Sequence, residues 1–504
     1  MSSLKKKFKE ATQDKLPFYN SLVKPLHLAE AVAAGVRFGF PAKKLRVIGV
    51  TGTNGKTTTS FMIWKMLNES GHPTGIMSTV GWGGVSRQIS ASADALLAQR
   101  MSNTSRSATP ASLNSARDTS AFELHSELNH MTTVDSKTLN RRIKAICEAG
   151  AEFLVLETTS HALAQFRTLG VPIEIAVFTN LTHEHLDYHK TIENYRNAKL
   201  KLIKKAKYSV INADDKNGKY FVKAAKDYIT YGVKNGKFRA KKVETGVFGV
   251  KYEVSDSSHD IKIQTKIPGE FNVYNSLAAA AVGEKLGLTS EEISQGIYSL
   301  ESVEGRMNRI YLGEEQKFSV IVDYAHTPDA LEKVFKAVEN NPGRIIAVHG
   351  GAGRRDESTR FSRGKILGEN SDIVIITEDD SRDEDPEKIA AEFKRGAEEA
   401  GKKEGKNLVV ELDREKAINA AIRLAKKNDL VLILGKGHEK TILRGEKAVP
   451  FEDIKVAEKA VKHKLDELKK QRELEEKKRE TEKKKQEEIK KKRLEKEEAW
   501  GNIV

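Results

Sequence analysis

Gly52, Gly55, Lys56 and Thr57 stand in the run Gly49-Val-Thr-Gly-Thr-Asn-Gly-Lys-Thr-Thr-Thr59, a pattern suited to holding a phosphate. Glycines let successive backbone N–H groups turn towards one anion, and a following helix adds its positive N-terminus. Lys56 supplies a cation, and the Thr57 hydroxyl can reach Mg²⁺. Strict phosphate-loop spacing wants glycine where this chain has Val50, so Gly49, Gly52 and Gly55 provide the flexibility on a different spacing. A second block, Leu154-Val-Leu-Glu-Thr-Thr-Ser-His161, ends an apolar run in a carboxylate beside hydroxyls, oxygen ligands of the kind hard cations take. Taken alone, Glu157 reads equally well as a helix cap or a surface acid. A third block, Phe178 to His189, contains His183, His185 and His189. No thiol cluster or His-Glu-x-x-His motif completes a closed zinc site around them, which favours one histidine joining carboxylates around Mg²⁺.

These residues need elements to bring them together. Leu45–Val50 is β-prone and Ser60–Leu67 helical, so the glycine run links a strand to a helix. Phe153–Glu157, Ile175–Asn180 and Ser209–Asn212 are further strand candidates, each followed by polar residues and a helical pattern. That alternation predicts a mainly parallel sheet flanked by helices, with Glu157 and the glycine loop sharing its carboxyl edge. Residues 84–130 are rich in Ser, Thr, Ala and Asn with little periodicity and read as a mobile or partly helical insertion, while 238–267 read as a short antiparallel excursion. A second α/β unit starts near Arg306, with strand candidates Ser319–Asp323, Arg344–His349, Ile373–Thr377, Leu408–Leu412 and Leu430–Leu434. The expected fold class is α/β. A P-loop-type central domain (45–303) with a mainly parallel sheet follows a helical segment (1–44). A Rossmann-like C-terminal domain (304–456) then precedes a charged helix (457–504).

At 504 residues the chain is long enough for several cores, and its single cysteine, Cys147, rules out an intramolecular disulfide and suits a reducing cytoplasm. No apolar run approaches the ~20 residues of a membrane span, and the basic start (Lys5, Lys6, Lys7) lacks the apolar core of a secretory signal. Leu22–Phe40 is apolar enough to lie on a membrane surface, although docking on the main body is the favoured reading. The chain carries a net charge of +15, but much of its Lys and Arg lies in a tail that mixes them with nearly as much Glu, so the charge does not point to nucleic acid. That tail reads as a solvated single helix, with a protein partner as its one binding role.

Read in order, Gly52-Thr-Asn-Gly-Lys-Thr-Thr, Glu157-Thr-Thr-Ser-His, Thr179-Asn-Leu-Thr and His185-Leu-Asp-Tyr-His resemble the Mur ligases. Asn194-Tyr-Arg-Asn-Ala-Lys199, Gly269-Glu-Phe-Asn-Val-Tyr-Asn275, Glu304-Gly-Arg-Met, Asp323-Tyr-Ala-His-Thr-Pro, Gly350-Gly-Ala-Gly-Arg-Arg-Asp and Gly435-Lys-Gly-His-Glu439 continue the likeness to about residue 455. The last blocks are similar to the tripeptide-synthetase branch, which adds a diamino acid to a UDP-linked muramoyl dipeptide through an acyl phosphate. The resemblance implies ATP and Mg²⁺, with Gly52, Thr53, Asn54, Gly55, Lys56, Thr57 and Thr58 around the phosphates. It implies metal positions at Thr57, Glu157, His185 and Lys199, the last carbamylated, and catalysis by Lys56, Glu157, His185 and Lys199. Asn272, Asn275, Arg306, Asp323 and His326 match nucleotide-side and inter-domain positions. Thr132, Thr133, Ser160 and Arg167 match muramoyl-peptide positions, and Arg355, Asp379, Asp380, Arg382, Gly435 and Glu439 those of the incoming amino acid.

Three departures stand out. Only 48 residues precede Gly49, where family members carry a uridine-binding domain. Thr132-Thr-Val-Asp135 replaces Thr-Thr-Pro-Asp, and Asp379-Asp-Ser-Arg382 replaces Asp-Asn-Pro-Arg. Asp380 pulls towards a cationic side chain such as lysine, whereas Arg382, able to grip a carboxylate, pulls towards meso-diaminopimelate. The weighed alternatives are a folylpoly-γ-glutamate synthetase-like ligase and a nucleotide-binding scaffold.

Overall fold

The computed structural model describes residues 16–84, 125–126, 132–182, 184–246, 249–255, 261–354 and 357–501. They form two compact units: one runs to Asn308 and includes Asp329–Asn340, the other comprises Arg309–Pro328 and the chain from Asn341 onward.

The first unit is built on strands β1 (Arg46–Thr51), β2 (Thr74–Met77), β3 (Gly81–Gly83), β4 (His125–Ser126), β5 (Phe153–Glu157), β6 (Ile175–Phe178), β7 (Tyr208–Asn212), β8 (Tyr228–Gly232), β9 (Phe238–Gly246), β10 (Gly249–Ser255) and β11 (Ile261–Thr265). They form one sheet in the order β11-β10-β9-β8-β7-β6-β1-β5-β2-β3-β4. β1 lies between β5 and β6, parallel to both, with Val50 opposite Glu157 and Thr51 opposite Phe178. Adjacent carboxyl ends are where an open α/β sheet leaves a crevice. Alternate residues Val47, Leu154, Leu156, Ala176 and Phe178 fill one face of the core with Ile143, Ile146 and Leu202, as the two-residue period of a strand requires.

Within the expected insertion, His125–Ser126 forms a strand against β3, with the His125 ring stacked on Trp82 at 4.7 Å; 85–124 and 127–131 lie outside the described residues. The expected antiparallel excursion is β9–β11, and it extends the main sheet because β9 pairs with β8. The strand expected over Ile175–Asn180 stops at Phe178. Thr179 and Asn180 turn instead to hold the glycine loop, through Thr179 Oγ1 and Asn180 Nδ2 donating to the Asn54 carbonyl at 2.7 and 2.9 Å.

In the second unit, β12 (Asn308–Ile310), β13 (Ser319–Asp323), β14 (Ile345–Gly351), β15 (Ile373–Glu378), β16 (Leu408–Val410) and β17 (Leu430–Leu434) are ordered β12-β13-β17-β14-β15-β16, all parallel from β13 onward. Val320, Val322, Ile346, Val348, Val431 and Ile433 pack against Ala417, Ile418, Ala421 and Ile422. The charged tail is continuous with a helix from Asp453 to Gly501, whose first turns put Ala457, Ala460 and Val461 into this core. Its start is tied down by Arg414, which grips Asp453 bidentately at 2.7 and 2.8 Å, both side chains fully buried. From Lys469 to Lys490 every side chain is exposed, as in a helix that is solvated on all sides.

Candidate functional site

The glycine loop closes over the C-terminal end of β1. Gly52 (φ 155°) and Gly55 (φ 82°) take conformations that L residues avoid. A Cβ on Gly52 would stand 1.9 Å from Thr179 Oγ1, and one on Gly55 2.3 Å from Asn275 Oδ1. The loop is thus a cradle of bare backbone walled by Thr179 and Asn275. Lys56 Nζ donates to the Thr53 carbonyl at 2.7 Å. The helix Lys56–Glu69 starts here with Thr57 and Thr58 buried. Thr57 Oγ1 lies 3.1 Å from both oxygens of the buried Glu157 carboxylate. Glu157 is further fixed by the Thr79 N–H at 2.9 Å and lies 3.0 Å from Thr79 Oγ1. Hard oxygen donors at a helix N-terminus beside a lysine are a donor set that fits Mg²⁺ and the phosphates it accompanies.

Lys199, from the helix Ile192–Lys205, reaches the same edge. Its ammonium is fully buried and donates to the Gly52 carbonyl at 2.6 Å. Burial and then Lys56 push its pKa well below the usual lysine value, with Glu184 and Glu157 opposing. Tyr195 stands between Lys199 and His185. The Lys199 ammonium lies 4.5 Å from its ring centre, and the His185 ring meets it edge-on at 6.1 Å. His185 is held at φ 57° at the start of the short helix Leu186–His189 and lies 3.7 Å from Glu184. His161 packs against His185 at 4.8 Å and Tyr188 at 4.3 Å; burial and its cationic neighbours hold its pKa at about 3, so it is neutral. Ser160 Oγ is 2.9 Å from His189 Nε2. Arg167 bonds the Thr133 carbonyl and Gln165, while Thr133 Oγ1 donates to the Glu157 carbonyl at 3.1 Å. Thr132 is 2.9 Å from Thr79 Oγ1. Asn275 Nδ2 donates to Asn272 Oδ1 at 2.8 Å, and Arg306 lies 3.4 Å from Thr57 Oγ1.

Asp323, His326, Asp379, Asp380, Arg382, Gly435 and Glu439 belong to the second unit. Lys436, fully buried, donates to Asp379, Asp380 and Glu439 at 3.0, 2.9 and 3.0 Å. This is the one group of three or more His, Cys, Asp or Glu side chains with converging ligand atoms among the described residues, and Lys436 supplies its cation. Asp380 Oδ1 also accepts the Leu443 N–H at 3.0 Å. Arg382 is held at φ 54° by backbone bonds to Leu443 and Gly445 in the hairpin Thr441–Pro450. Asp323 Oδ1 caps the Ala325 N–H at 2.7 Å, and the Tyr324 hydroxyl donates to Glu439 at 3.3 Å. The His326 carbonyl accepts from Arg363 at 3.0 Å. Arg355 lies outside the described residues.

The sequence matches the family model of the Mur ligase middle domain over residues 50–283, and that of the Mur ligase glutamate ligase domain over 305–437. A UDP-N-acetylmuramyl-tripeptide synthetase of Roseiflexus sp. (strain RS-1) is 36% identical over 455 residues, 86% of this chain and 82% of that protein. The chain belongs to the Mur ligase family. A UDP-N-acetylmuramoyl-L-alanyl-D-glutamate–2,6-diaminopimelate ligase of Clostridium acetobutylicum is 34% identical over 437 residues, 86% of this chain and 82% of the other. A solved structure of a ligase so named superposes with a TM-score of 0.55 at 29% identity, over 84% of this chain and 79% of that one.

In this Mur ligase the altered Thr132–Asp135 segment keeps distinct structural tasks. Val134 is buried core, and Asp135 caps the helix Ser136–Glu148 through the Lys137 and Thr138 N–H groups. Thr79, Tyr195, Glu184 and Lys436 are members of these clusters that sequence reasoning assigned no role. Tyr195 and Lys436 lay inside the recognised motifs and Glu184 between two of them, whereas Thr79 lay in none.

Proposed function

We propose that this Mur ligase joins a diamino acid to the terminal carboxylate of a UDP-N-acetylmuramoyl-dipeptide, with ATP as co-substrate. The observation that carries the reading is the convergence of Lys56, Thr57, Glu157 and Lys199 on one glycine cradle. The chain is an ATP-dependent ligase: the carboxylate takes the γ-phosphoryl group, the amine attacks the acyl carbon, and phosphate departs, leaving ADP and an amide. Bound Mg²⁺ neutralises charge on the phosphates. Thr57 and Glu157 would hold it, with Lys56 and the loop amides orienting the γ-phosphate. Asn272 and Asn275 shape the wall beside Gly55. Ser160, Arg167, Thr132 and Thr133 line the edge near Glu157 as peptide-side residues.

Lys199 is carbamylated in this reading. A buried amine whose pKa is driven down is the neutral nucleophile that CO₂ requires, and the resulting anion suits a site beside Lys56. Labelled bicarbonate should give a carbamate signal that Lys199→Arg abolishes.

The amino acid is diaminopimelate. Asp380 shares its charge with Lys436 and a backbone N–H, so it does not by itself select a lysine side chain. Asp379, Asp380 and Glu439 together outnumber Lys436 and leave a negative end for an ammonium, while Arg382 matches the carboxylate-binding position. A zwitterionic end satisfies both. ADP release with UDP-N-acetylmuramoyl-dipeptide should require meso-diaminopimelate, with Lys56→Ala as the blank. Turnover with lysine alone would refute the amino-acid assignment, and turnover with neither would refute the ligase reading.

A further inference from the structure

Over residues 24–38 the helix Leu16–Phe38 presents its apolar side outward. The side packed on the helix Ser136–Glu148 is made of small residues, with Ala31, Ala34 and Gly35 buried. A Cβ on Gly35 would stand 2.2 Å from the Phe40 ring, which shows how closely the chain is drawn in. The sequence reading set docking on the body against lying on a membrane surface. The helix docks through its small residues and leaves the large ones exposed: Val36 at 66%, Val32 at 44%, Leu26 at 43% and Leu28 at 40%. At 3.6 residues per turn, Leu28, Val32, Val36, Ala29, Ala33 and Leu26 follow one another around an arc of about 160° on which residues 24–38 place no polar side chain. A surface helix ordinarily carries its charges on that arc.

The rim of the arc is cationic. Lys24, Arg37, Lys43 and Lys44 are exposed at its two ends, and Glu30 is the one acid between residues 24 and 44. No helix among the described residues is long and apolar enough to cross a membrane. We propose that this face is a peripheral docking site for an anionic lipid surface. The apolar arc would enter the headgroup–acyl boundary and the four cations would meet lipid phosphates. The same charges argue against a second copy of the chain as occupant, because face-to-face packing would bring two cationic rims together.

The test is co-sedimentation of the full chain with phosphatidylcholine vesicles, with and without phosphatidylglycerol. Binding should require phosphatidylglycerol and weaken several-fold in Lys43→Glu/Lys44→Glu. It should fall about tenfold or more in Val32→Asp/Val36→Asp. Neither variant touches a proposed site residue, so ADP release without vesicles should stay at the parent level and report correct folding. Failure of the parent chain to sediment, or undiminished binding of Val32→Asp/Val36→Asp, would overturn the proposal. So would a dimer in sedimentation velocity that Val32→Asp/Val36→Asp dissolves in a chain that ignores vesicles.

Discussion

Two lysines are buried equally deeply in this enzyme and have opposite electrostatic fates. Lys199, in the first unit, meets one backbone carbonyl and has Lys56 as its strongest charged neighbour, and its pKa is driven down. Lys436, in the second, is ringed by three carboxylates that outweigh burial and drive its pKa up. Burial penalises the charged form at both sites, so the partners decide which lysine is an amine and which a permanent cation. The first has the properties of a reactive group, the second those of a counterion that sets the shape of a carboxylate cage.

Breaking the reactive side of this contrast should have the largest effect. Lys199→Arg cannot form a carbamate and puts a permanent cation where burial and Lys56 disfavour one, and kcat should fall about a hundred- to a thousandfold. Thermal stability should fall as well, because the site offers a buried guanidinium one backbone carbonyl and the opposing charge of Lys56. A variant retaining most of its activity would mean that Lys199 is only another counterion.

Lys436→Met should act mainly on stability, costing about 3–5 kcal/mol by leaving buried carboxylates unpaired. Asp379 gives the comparison a pH signature. Burial raises its pKa, but Lys436 and Arg414 prevail and hold it below the ordinary 3.8. Its contribution to stability is therefore present above pH 3.8 and is lost as pH falls through the lower folded value. Without Lys436, burial, the largest influence on Asp379, is opposed chiefly by Arg414 and should lift that carboxyl above its unfolded value, so the variant should gain stability as pH falls from 7 towards 5. Thermal denaturation across that range reads the sign. Asp379→Asn added to Lys436→Met should recover part of the loss.

How legible each lysine was follows from where its partners lie. The glycine loop, Glu157 and His185 each follow a strand whose apolar run is visible in the sequence, so the parallel sheet brought them to one edge as expected. Lys199 lies in a basic helix and could be singled out only by its likeness to a known motif. The cage brings to Lys436 two carboxylates that lie 57 and 56 residues before it in the chain, and no local pattern announces that pairing. Asp380 consequently read as a free charge facing a ligand. Thr79 was illegible for another reason: much of its grip on Glu157 is a backbone N–H, which almost every residue type offers. The apolarity of Leu22–Phe40 was plain, but which side would face outward depended on the small residues finding the helix Ser136–Glu148.

Arg360 sharpens the contrast as a third buried cation. It is fully buried and pairs with Glu384 through bonds of 2.6 and 2.7 Å, with Glu392 at 3.6 Å. The Arg360 bond leads in holding Glu384 at about 2. Glu384→Gln should cost about 2–3 kcal/mol, less than Lys436→Met, because Glu392 remains. The parent chain should lose the Glu384 contribution as pH falls from 4.5 towards 2, and acid denaturation of the variant should lack that component.

Thr79→Val should give the smallest effect and shows why Lys199 has no carboxylate of its own. Glu157 favours the charged form of Lys199, yet both its oxygens are engaged by Thr57 and one also by the Thr79 N–H. Valine removes the Thr79 hydroxyl and leaves the N–H, so Glu157 should keep its place with about 1 kcal/mol less support. Activity at limiting Mg²⁺ should drop several-fold and recover at saturating Mg²⁺, with Lys199 carbamylation intact. A hundredfold loss that Mg²⁺ cannot restore would instead place Thr79 against the substrate, and Glu157 would no longer be the group through which it acts.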